Sequence, residues 1–328
     1  MSLIVQKFGG SSLSDNAKLL RVAHIIQKTR AEGCDVIAVL SARGDETDRL
    51  LAAAQSVRLQ PDARELDMLL ATGEQASVAL CAMALGSLGV PAVSLCAWQV
   101  PILSDGVHTD ARIMRIGHER IETELRAHRV VLVAGFQAVD EAGDVTTLGR
   151  GGSDTSAVAL AAAFHADRCQ IFTDVDGIYT TDPRRCPAAQ RLENITFAQM
   201  YHLASEGAQV LHARSVALAQ RAGVEIEVRS CSAGSVGSRV TAQADARDIA
   251  GVTVRADGED AVITAVGNAL PSETVARQAA DALARAEIPL RGMQEGEGSF
   301  SLAVPAQDAD AALCAVHGAL FPPQTEQL

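Results

Sequence analysis

The sequence predicts an α/β fold: an open, mostly parallel sheet sandwiched by helices, followed by a small α+β module. Three observations predict it. Unbroken apolar runs such as Val36-Ile37-Ala38-Val39-Leu40 and Val130-Val131-Leu132-Val133-Ala134 read as strands buried on both faces. Segments of helical period lie between such runs, and repeated β-α-β units give a parallel sheet with helices on both faces. Beyond residue 249 the pattern changes to two strands and a helix, occurring twice.

In chain order, Leu3-Ile4-Val5-Gln6 is the first strand and runs into Lys7-Phe8-Gly9-Gly10-Ser11-Ser12. An amphipathic helix follows, with Leu19, Leu20, Ala23 and Ile26 on one face and Lys18, Arg21, Gln27 and Lys28 outside; Ser14 or Asp15 caps it. Asp35 to Leu40 is the second strand, and residues 49–88 read as helices broken at Ala71-Thr72-Gly73-Glu74. Glu74 at that break is either a solvated helix residue or a carboxylate aimed into a pocket. Strand Pro91–Cys96, a helix near Gly117–Ala127 and strand Val130–Ala134 continue the alternation. Strand Gln170–Thr173 ends in the polar loop Asp174 to Arg184, a helical stretch runs from Asn194 to Ala222, and Val224–Arg229 is another strand. Ser230 to Arg247, rich in Ser, Gly and Ala, reads as a linker. Strands Gly251–Arg255 and Ala261–Val266, helix Ser272–Ala286, strands Leu290–Gln294 and Ser299–Val304 and helix Ala309–Leu320 make the module. The domains expected are therefore residues 1–232, a linker at 233–248, the module at 249–321 and a disordered tail at 322–328.

Composition bounds the function. A chain of 328 residues suits two domains, and an apolar share of 48% marks a soluble globular protein. A net charge of -12 speaks against a nucleic-acid footprint, which would be basic. Seven scattered cysteines without a C-x-x-C pair suit reduced thiols in a cytoplasmic compartment. The chain opens on a strand rather than a signal peptide, and it holds no run of 18 apolar residues, so no membrane association is expected.

Two loops carry the chemistry. Thr147-Leu148-Gly149-Arg150-Gly151-Gly152-Ser153-Asp154 links an apolar strand to the alanine-rich helix Ala157–Ala166. A glycine-rich loop opening into a helix offers free backbone N–H groups and a positive dipole end, which suits phosphate. Arg150 adds a bidentate cation and Asp154 an anion for a metal or an ammonium. The Gly9-Gly10 turn is a second place for phosphate. It is neither a G-x-x-x-x-G-K-[ST] loop nor a G-x-G-x-x-G turn, which disfavours Walker A and Rossmann sites. The Thr147 loop and the Asp174 to Arg184 loop lie at neighbouring strand ends, where an open α/β sheet places its ligand.

Gln6 to Ser12, the Thr72-Gly73-Glu74 stretch, Val133-Ala134-Gly135-Phe136-Gln137, the Thr146 to Asp154 loop and Thr173 to Arg184 follow one another as the signatures of the aspartate kinases do. Over nearly its whole length the chain resembles those members of the amino-acid kinase family. The resemblance implies an open parallel sheet followed by ACT modules, and ATP-dependent phosphorylation of the side-chain carboxylate of L-aspartate to 4-phospho-L-aspartate. It implies that Lys7 and the amides of Gly9, Gly10 and Ser11 hold phosphates, with Gly151, Gly152 and Ser153 completing the cradle. By the same resemblance Arg150 clamps a substrate carboxylate and Glu74 accepts its ammonium. Ser41, Thr47, Phe136 and Asp154 match positions around the amino acid, and Thr173, Asp174, Tyr179 and Arg184 match positions around the nucleotide. ATP with Mg2+ bridging its phosphates through waters is the implied cofactor set, without an all-protein metal cage. A homodimer through the ACT-like module is the implied partner. Two rivals stay open: a kinase of another amino acid or carboxylate, and a binding regulator without catalysis.

Four departures qualify the resemblance. Gln209 stands where many relatives carry Lys, and Val100-Pro101 stands where Ala-Gly is usual. Arg43-Gly44-Asp45-Glu46-Thr47-Asp48 is more charged than the usual segment. The tail has room for one ACT module where the family usually carries two, and its loop Gly267 to Glu273 lacks the family's Pro-Gly step. Feedback inhibition by lysine or threonine is therefore expected to be weak or absent.

Overall fold

The structure, a computed structural model, describes residues 2–232, 236–244 and 248–322. The chain divides into two compact units, one reaching to Asp176 and including Ala217–Gly237, the other comprising Gly177–Val216 and the chain from Ser238.

The first unit is built on six parallel strands: β1 (Leu3–Phe8), β2 (Asp35–Leu40), β3 (Ala92–Leu95), β4 (Val130–Ala134), β5 (Arg168–Thr173) and β6 (Ile226–Ser230). They lie in the order β6-β5-β1-β2-β4-β3, with Gln6 opposite Ala38 on one side and Gln170 on the other. The expected open parallel sheet is present. Its central strands are buried on both faces because helices cover both. α1 (Asn16–Ala31) and α4 (Thr72–Ser87) pack together on one side. α6 (Gly152–Ala163) lies against β1, β2 and β5. Asp15 caps α1 by accepting the Lys18 backbone N–H at 2.8 Å. Phe8, Val22, Ile26, Leu40, Val78 and Leu85 fill the core between them.

Between β2 and α4 run α2 (Glu46–Val57) and α3 (Ala63–Leu70); α5 (Glu119–Arg126) precedes β4. The stretch Ala63–Ser87 is long and apolar enough to cross a membrane by length and composition, its most apolar 18-residue window having a mean hydropathy of 1.4. Half of that window is buried, and Val78, Cys81 and Leu85 belong to the core just described. The break between α3 and α4 falls at Ala71, as the sequence predicts. A second sheet was not expected: Ile113–Ile116, Ile102–Ser104, Gln137–Val139 and Val145–Thr147 pair in that order. Strands of three or four residues are too short to show a period.

In the second unit, the predicted helix Asn194–Ala222 is not continuous. Asn194–Thr196 is a strand, Phe197–Ser205 a helix with a Thr196/Gln199 capping box, and the next helix begins at Ala213. Gly207, at φ +114, stops the first of these helices. Val236–Thr241, inside the predicted linker, is a strand parallel to Asn194–Thr196; residues 233–235 and 245–247 of that linker lie outside the described residues, as do 323–328 of the predicted tail. Ile178–Tyr179 pairs with Arg191–Leu192 rather than lying in loop. The module has the predicted order, Gly251–Asp257, Asp260–Val266, Glu273–Arg285, Gly292–Gly296, Ser299–Pro305 and Ala309–Leu320. Its four strands are antiparallel with two helices over a core of Ile263, Leu283, Phe300, Leu302 and Leu313.

Candidate active site

Lys7 is the hinge of the site. It sits near the carboxyl end of β1, with its neighbour Gln6 on the opposite face of the sheet. Its Nζ meets Asp154 Oδ1 in the first turn of α6 at 2.7 Å, and the two side chains are only 13% and 11% exposed. One ion pair thus joins the two glycine-rich turns singled out in the sequence. Each turn is built by close approach. A side chain on Gly10 would place its Cβ 2.8 Å from the Ala42 carbonyl oxygen, and Gly44 donates its N–H to the Gly10 carbonyl at 2.9 Å. On the other turn Gly151 takes φ +69 immediately before α6, a conformation that glycine adopts without strain. Gly152, Ser153 and Asp154 open α6 and are buried there. The end of β4 closes against them: a Cβ on Gly135 would meet Ser153, and Phe136 donates its N–H to Ser156 Oγ at 3.1 Å. Phe136 does so at φ +67, a strain of order 1–3 kcal/mol that the tight packing enforces.

A buried carboxylate stands beside this cradle. Glu74, in the first turn of α4, is 3% exposed and accepts the Ala42 N–H through Oε1 at 3.0 Å. Its Oε2 is buried without a partner among the described residues. Burial pushes its carboxyl up to about 7, and the Ala42 N–H offsets only part of that. The solvated-helix reading of Glu74 does not hold, since the side chain is buried. Ala42 follows Ser41 at the end of β2, so the Gly10 turn and the Glu74 carboxylate share one contact residue. Ser41 and Thr47, the latter in the first turn of α2, are half-buried nearby in sequence. Arg150 is exposed, and its guanidinium makes no hydrogen bond or ion pair among the described residues. An exposed guanidinium, a buried carboxylate oxygen without a partner among the described residues and two close-packed glycine turns offer groups of both signs and backbone amides to a charged ligand.

The profile of the amino acid kinase family matches residues 2–230. The chain belongs to the amino acid kinase family. An aspartate kinase of Stutzerimonas stutzeri (strain A1501) is 54% identical over 228 residues, 70% of this chain and 55% of that protein. The chain thus spans about half the length of the curated relatives it matches. Among solved structures, aspartate kinase from Synechocystis superposes with a TM-score of 0.68 at 31% identity, over 100% of this chain and 71% of that one. Aspartokinase III of E. coli, in complex with aspartate and ADP, superposes with a TM-score of 0.71 at 25% identity, over 97% and 84%.

Against the family's pattern, several residues stand where the sequence did not foresee. Arg43 does not face the cradle: its Nε donates to the Leu13 carbonyl at 2.8 Å and its Nη2 to Asn16 Oδ1 at 3.0 Å, bracing the loop after β2 to the start of α1. The Arg43 charge in that unusually charged segment is therefore spent on bracing the loop. Thr173 donates to Asp174 Oδ1 at 3.0 Å at the end of β5. Those two residues, Ser11, Ser12, Lys18 and Arg21 line a cleft of about 180 Å³. Lys18 and Arg21 read as solvent-face residues in the helical period, and only the fold shows them beside the first glycine turn. Tyr179 and Arg184 belong to the second unit, where Arg184 pairs with Asp182 at 3.1 Å. Gln209 is exposed in the loop between the helices Phe197–Ser205 and Ala213–Ala222. Val100 is fully buried and follows a 3-10 turn closed by Gln99 on the Cys96 N–H.

The residue sequence reasoning missed altogether is Asp67. It is fully buried on α3 and accepts three donors: Thr147 Oγ1 at 2.5 Å, the Thr109 N–H at 2.9 Å and His108 Nδ1 at 2.9 Å. It ties the loop before Ala111 to the strand that leads into Gly149 and Arg150. A Cβ on Gly149 would lie 3.0 Å from Asp110 Oδ1, so the loop and the turn are in contact. Its only signal in the sequence is a lone acid on the apolar side of a helix.

Proposed function

We propose that this chain is an aspartate kinase, transferring the γ-phosphoryl group of ATP to the side-chain carboxylate of L-aspartate to give 4-phospho-L-aspartate. The observation that carries this reading is the Lys7–Asp154 pair joining two glycine turns, with the unpartnered Oε2 of Glu74 at the adjoining turn. The 54% identical aspartate kinase of Stutzerimonas stutzeri supports the choice of substrate within a family whose fold hosts several.

The chemistry suits these residues. A carboxylate is already nucleophilic, so no general base is required; what must be overcome is repulsion between two anions and the charge on the transferring group. Lys7 places a cation where that charge develops, and Asp154 holds the ammonium in position. Backbone amides of Gly9, Gly10, Ser11, Gly151 and Gly152 and the Ser153 hydroxyl surround the phosphates. Glu74 takes the aspartate ammonium, Arg150 its α-carboxylate, and Ser41, Thr47 and Phe136 flank it. Thr173 and Asp174 contact the nucleotide in the first unit; Tyr179 and Arg184 are assigned to it by the resemblance. Mg2+ would offset the charge of the triphosphate, and Asp174, exposed beside the cleft, is a carboxylate of the type that would hold such a hard ion.

Residues 1–232 form the catalytic domain on this reading, and residues 249–321 an ACT-like module through which two copies pair in the cytoplasm. Trapping of the acyl phosphate by hydroxylamine, with aspartate, ATP and magnesium, tests the activity. No hydroxamate near neutral pH overturns it, and a panel of other amino acids monitored by ADP release tests the substrate.

A further inference from the structure

On the face of the sheet opposite Lys7 lies a groove that the reaction does not use. Glu227, Gln170 and Gln6 stand side by side on β6, β5 and β1, in register, and are 6%, 4% and 1% exposed. The direction of their hydrogen bonds is fixed from one end. Arg229 donates Nε and Nη2 to Glu227 Oε2 at 3.1 and 2.9 Å. A carboxylate can only accept, so Gln170 turns its Nε2 to Glu227 at 3.0 Å and presents its Oε1 to Gln6. Gln6 must then donate: its Nε2 bonds Gln170 Oε1 at 2.9 Å and Thr29 Oγ1 at 2.9 Å, the Thr29 hydroxyl itself donating to the Ile25 carbonyl. Flipping the Gln6 amide would set two oxygens against each other. The chain therefore ends in a buried acceptor, Gln6 Oε1, which has no partner among the described residues. A buried acceptor left unmet is costly, so a donor that reaches it gains more than one offered to water.

That amide lines a cavity of about 160 Å³ between α1 and the sheet, whose rim carries Lys28, Glu32 and Arg168. Lys28 and Arg168 are exposed and make no side-chain hydrogen bond or ion pair among the described residues, and neither does Glu32. Two unpaired cations in a chain of net charge -12, one anion beside them and one buried acceptor form a pattern that complements a zwitterion. We propose that this groove is a second ligand site, taking a small carboxylate that also carries an ammonium or N–H donor. The carboxylate sits between Lys28 and Arg168, and the donor end reaches Gln6 Oε1 with Glu32 on its flank. Gln6, Lys28, Glu32 and Arg168 are none of the residues assigned to aspartate or ATP, so the proposal does not rest on that assignment, although the groove shares Ser230 and Cys231 with the cleft lined by Thr173 and Asp174.

Calorimetric titration of the intact chain with β-alanine, together with the side-chain amide signals of Gln6 and Gln170, tests this. Acetate serves as a carboxylate without a donor and ethanolamine as a donor without a carboxylate. β-Alanine is expected to bind at millimolar concentration and to move both amide signals. Binding should persist in Glu74→Gln/Arg150→Ala, in which the aspartate pocket is disabled. It should weaken at least ~10-fold in Lys28→Ala/Arg168→Ala, whose exposed substitutions leave the core untouched. Absence of binding at tens of millimolar overturns the proposal, leaving a hydrated cavity only. Equal binding of acetate also overturns it, as plain anion attraction, and so does indifference to Lys28→Ala/Arg168→Ala.

Discussion

At the scale of single residues, two side chains divide the work. Lys7 is almost fully removed from water and its charge is matched by Asp154, so truncation deletes a positioned cation and leaves a carboxylate facing phosphate. Lys7→Ala should lower kcat by on the order of 10²-fold, since a lost charge contact at a transferring group costs ~3 kcal/mol. Steady-state rates by coupled ADP release check it; near-parental activity would place the phosphates elsewhere. Glu74 answers differently, because its carboxyl is raised from 4.5 to about 7. The folded chain then holds a proton that the unfolded chain gives up near 4.5, so stability falls as pH rises from about 4.5 to about 7 and stays reduced above. Glu74→Gln should therefore stabilise the ligand-free chain at pH 8 by on the order of 2–3 kcal/mol, read from denaturant midpoints. The same substitution should raise KM for aspartate with little effect on KM for ATP. In the parent, KM for aspartate should climb as pH drops below about 7, where the proton competes with the substrate ammonium. That slope should vanish in Glu74→Gln.

At the scale of elements, strand ends and helix starts aim the chemistry, and much of this was legible. Runs such as Val36 to Leu40 announced buried strands because nothing polar interrupts them, and Gly151-Gly152 before an alanine-rich helix announced α6. What stayed hidden was brought together by tertiary contact. Arg43 reads in the sequence only as part of an unusually charged segment and turns out to brace α1. The strands Ile102–Ser104 and Val145–Thr147 are too short for periodicity, so the sheet that carries the Arg150 turn could not be foreseen. Asp67, which stitches that sheet to α3, was hidden with it. Asp67→Asn keeps the shape but exchanges one acceptor oxygen for a donor among three inbound donors. It should loosen the turn bearing Arg150, raising KM for aspartate about tenfold while KM for ATP holds, with a stability loss of about 1–3 kcal/mol. Equal rises in both KM values would mean a general loss of structure rather than positioning.

At the scale of the whole molecule, the module from Gly251 to Leu320 carries its own core, with Ile263, Leu283, Phe300 and Leu313 enclosed by four antiparallel strands and two helices. Whether such a module receives an amino acid depends on free polar groups in the loop after its second strand. Here three of the loop's backbone N–H groups are already used. Gly267 donates its N–H to the Gly298 carbonyl at 3.0 Å, Ala269 to Asp248 at 3.3 Å and Leu270 to Gly267 at 3.4 Å. A Cβ on Gly267 would fall 2.0 Å from the Asp248 carbonyl oxygen, so the backbone has no room to shift toward a ligand on that side. An effector carboxylate would have to break these bonds before gaining its own, and the exchange of one hydrogen bond for another is close to neutral. The reaction should therefore run undiminished in sub-millimolar lysine or threonine, added singly or together at aspartate concentrations near KM. Inhibition in that range would mean that the loop opens, and Gly267→Ala, which forces the same backbone apart, would then be expected to alter the sensitivity.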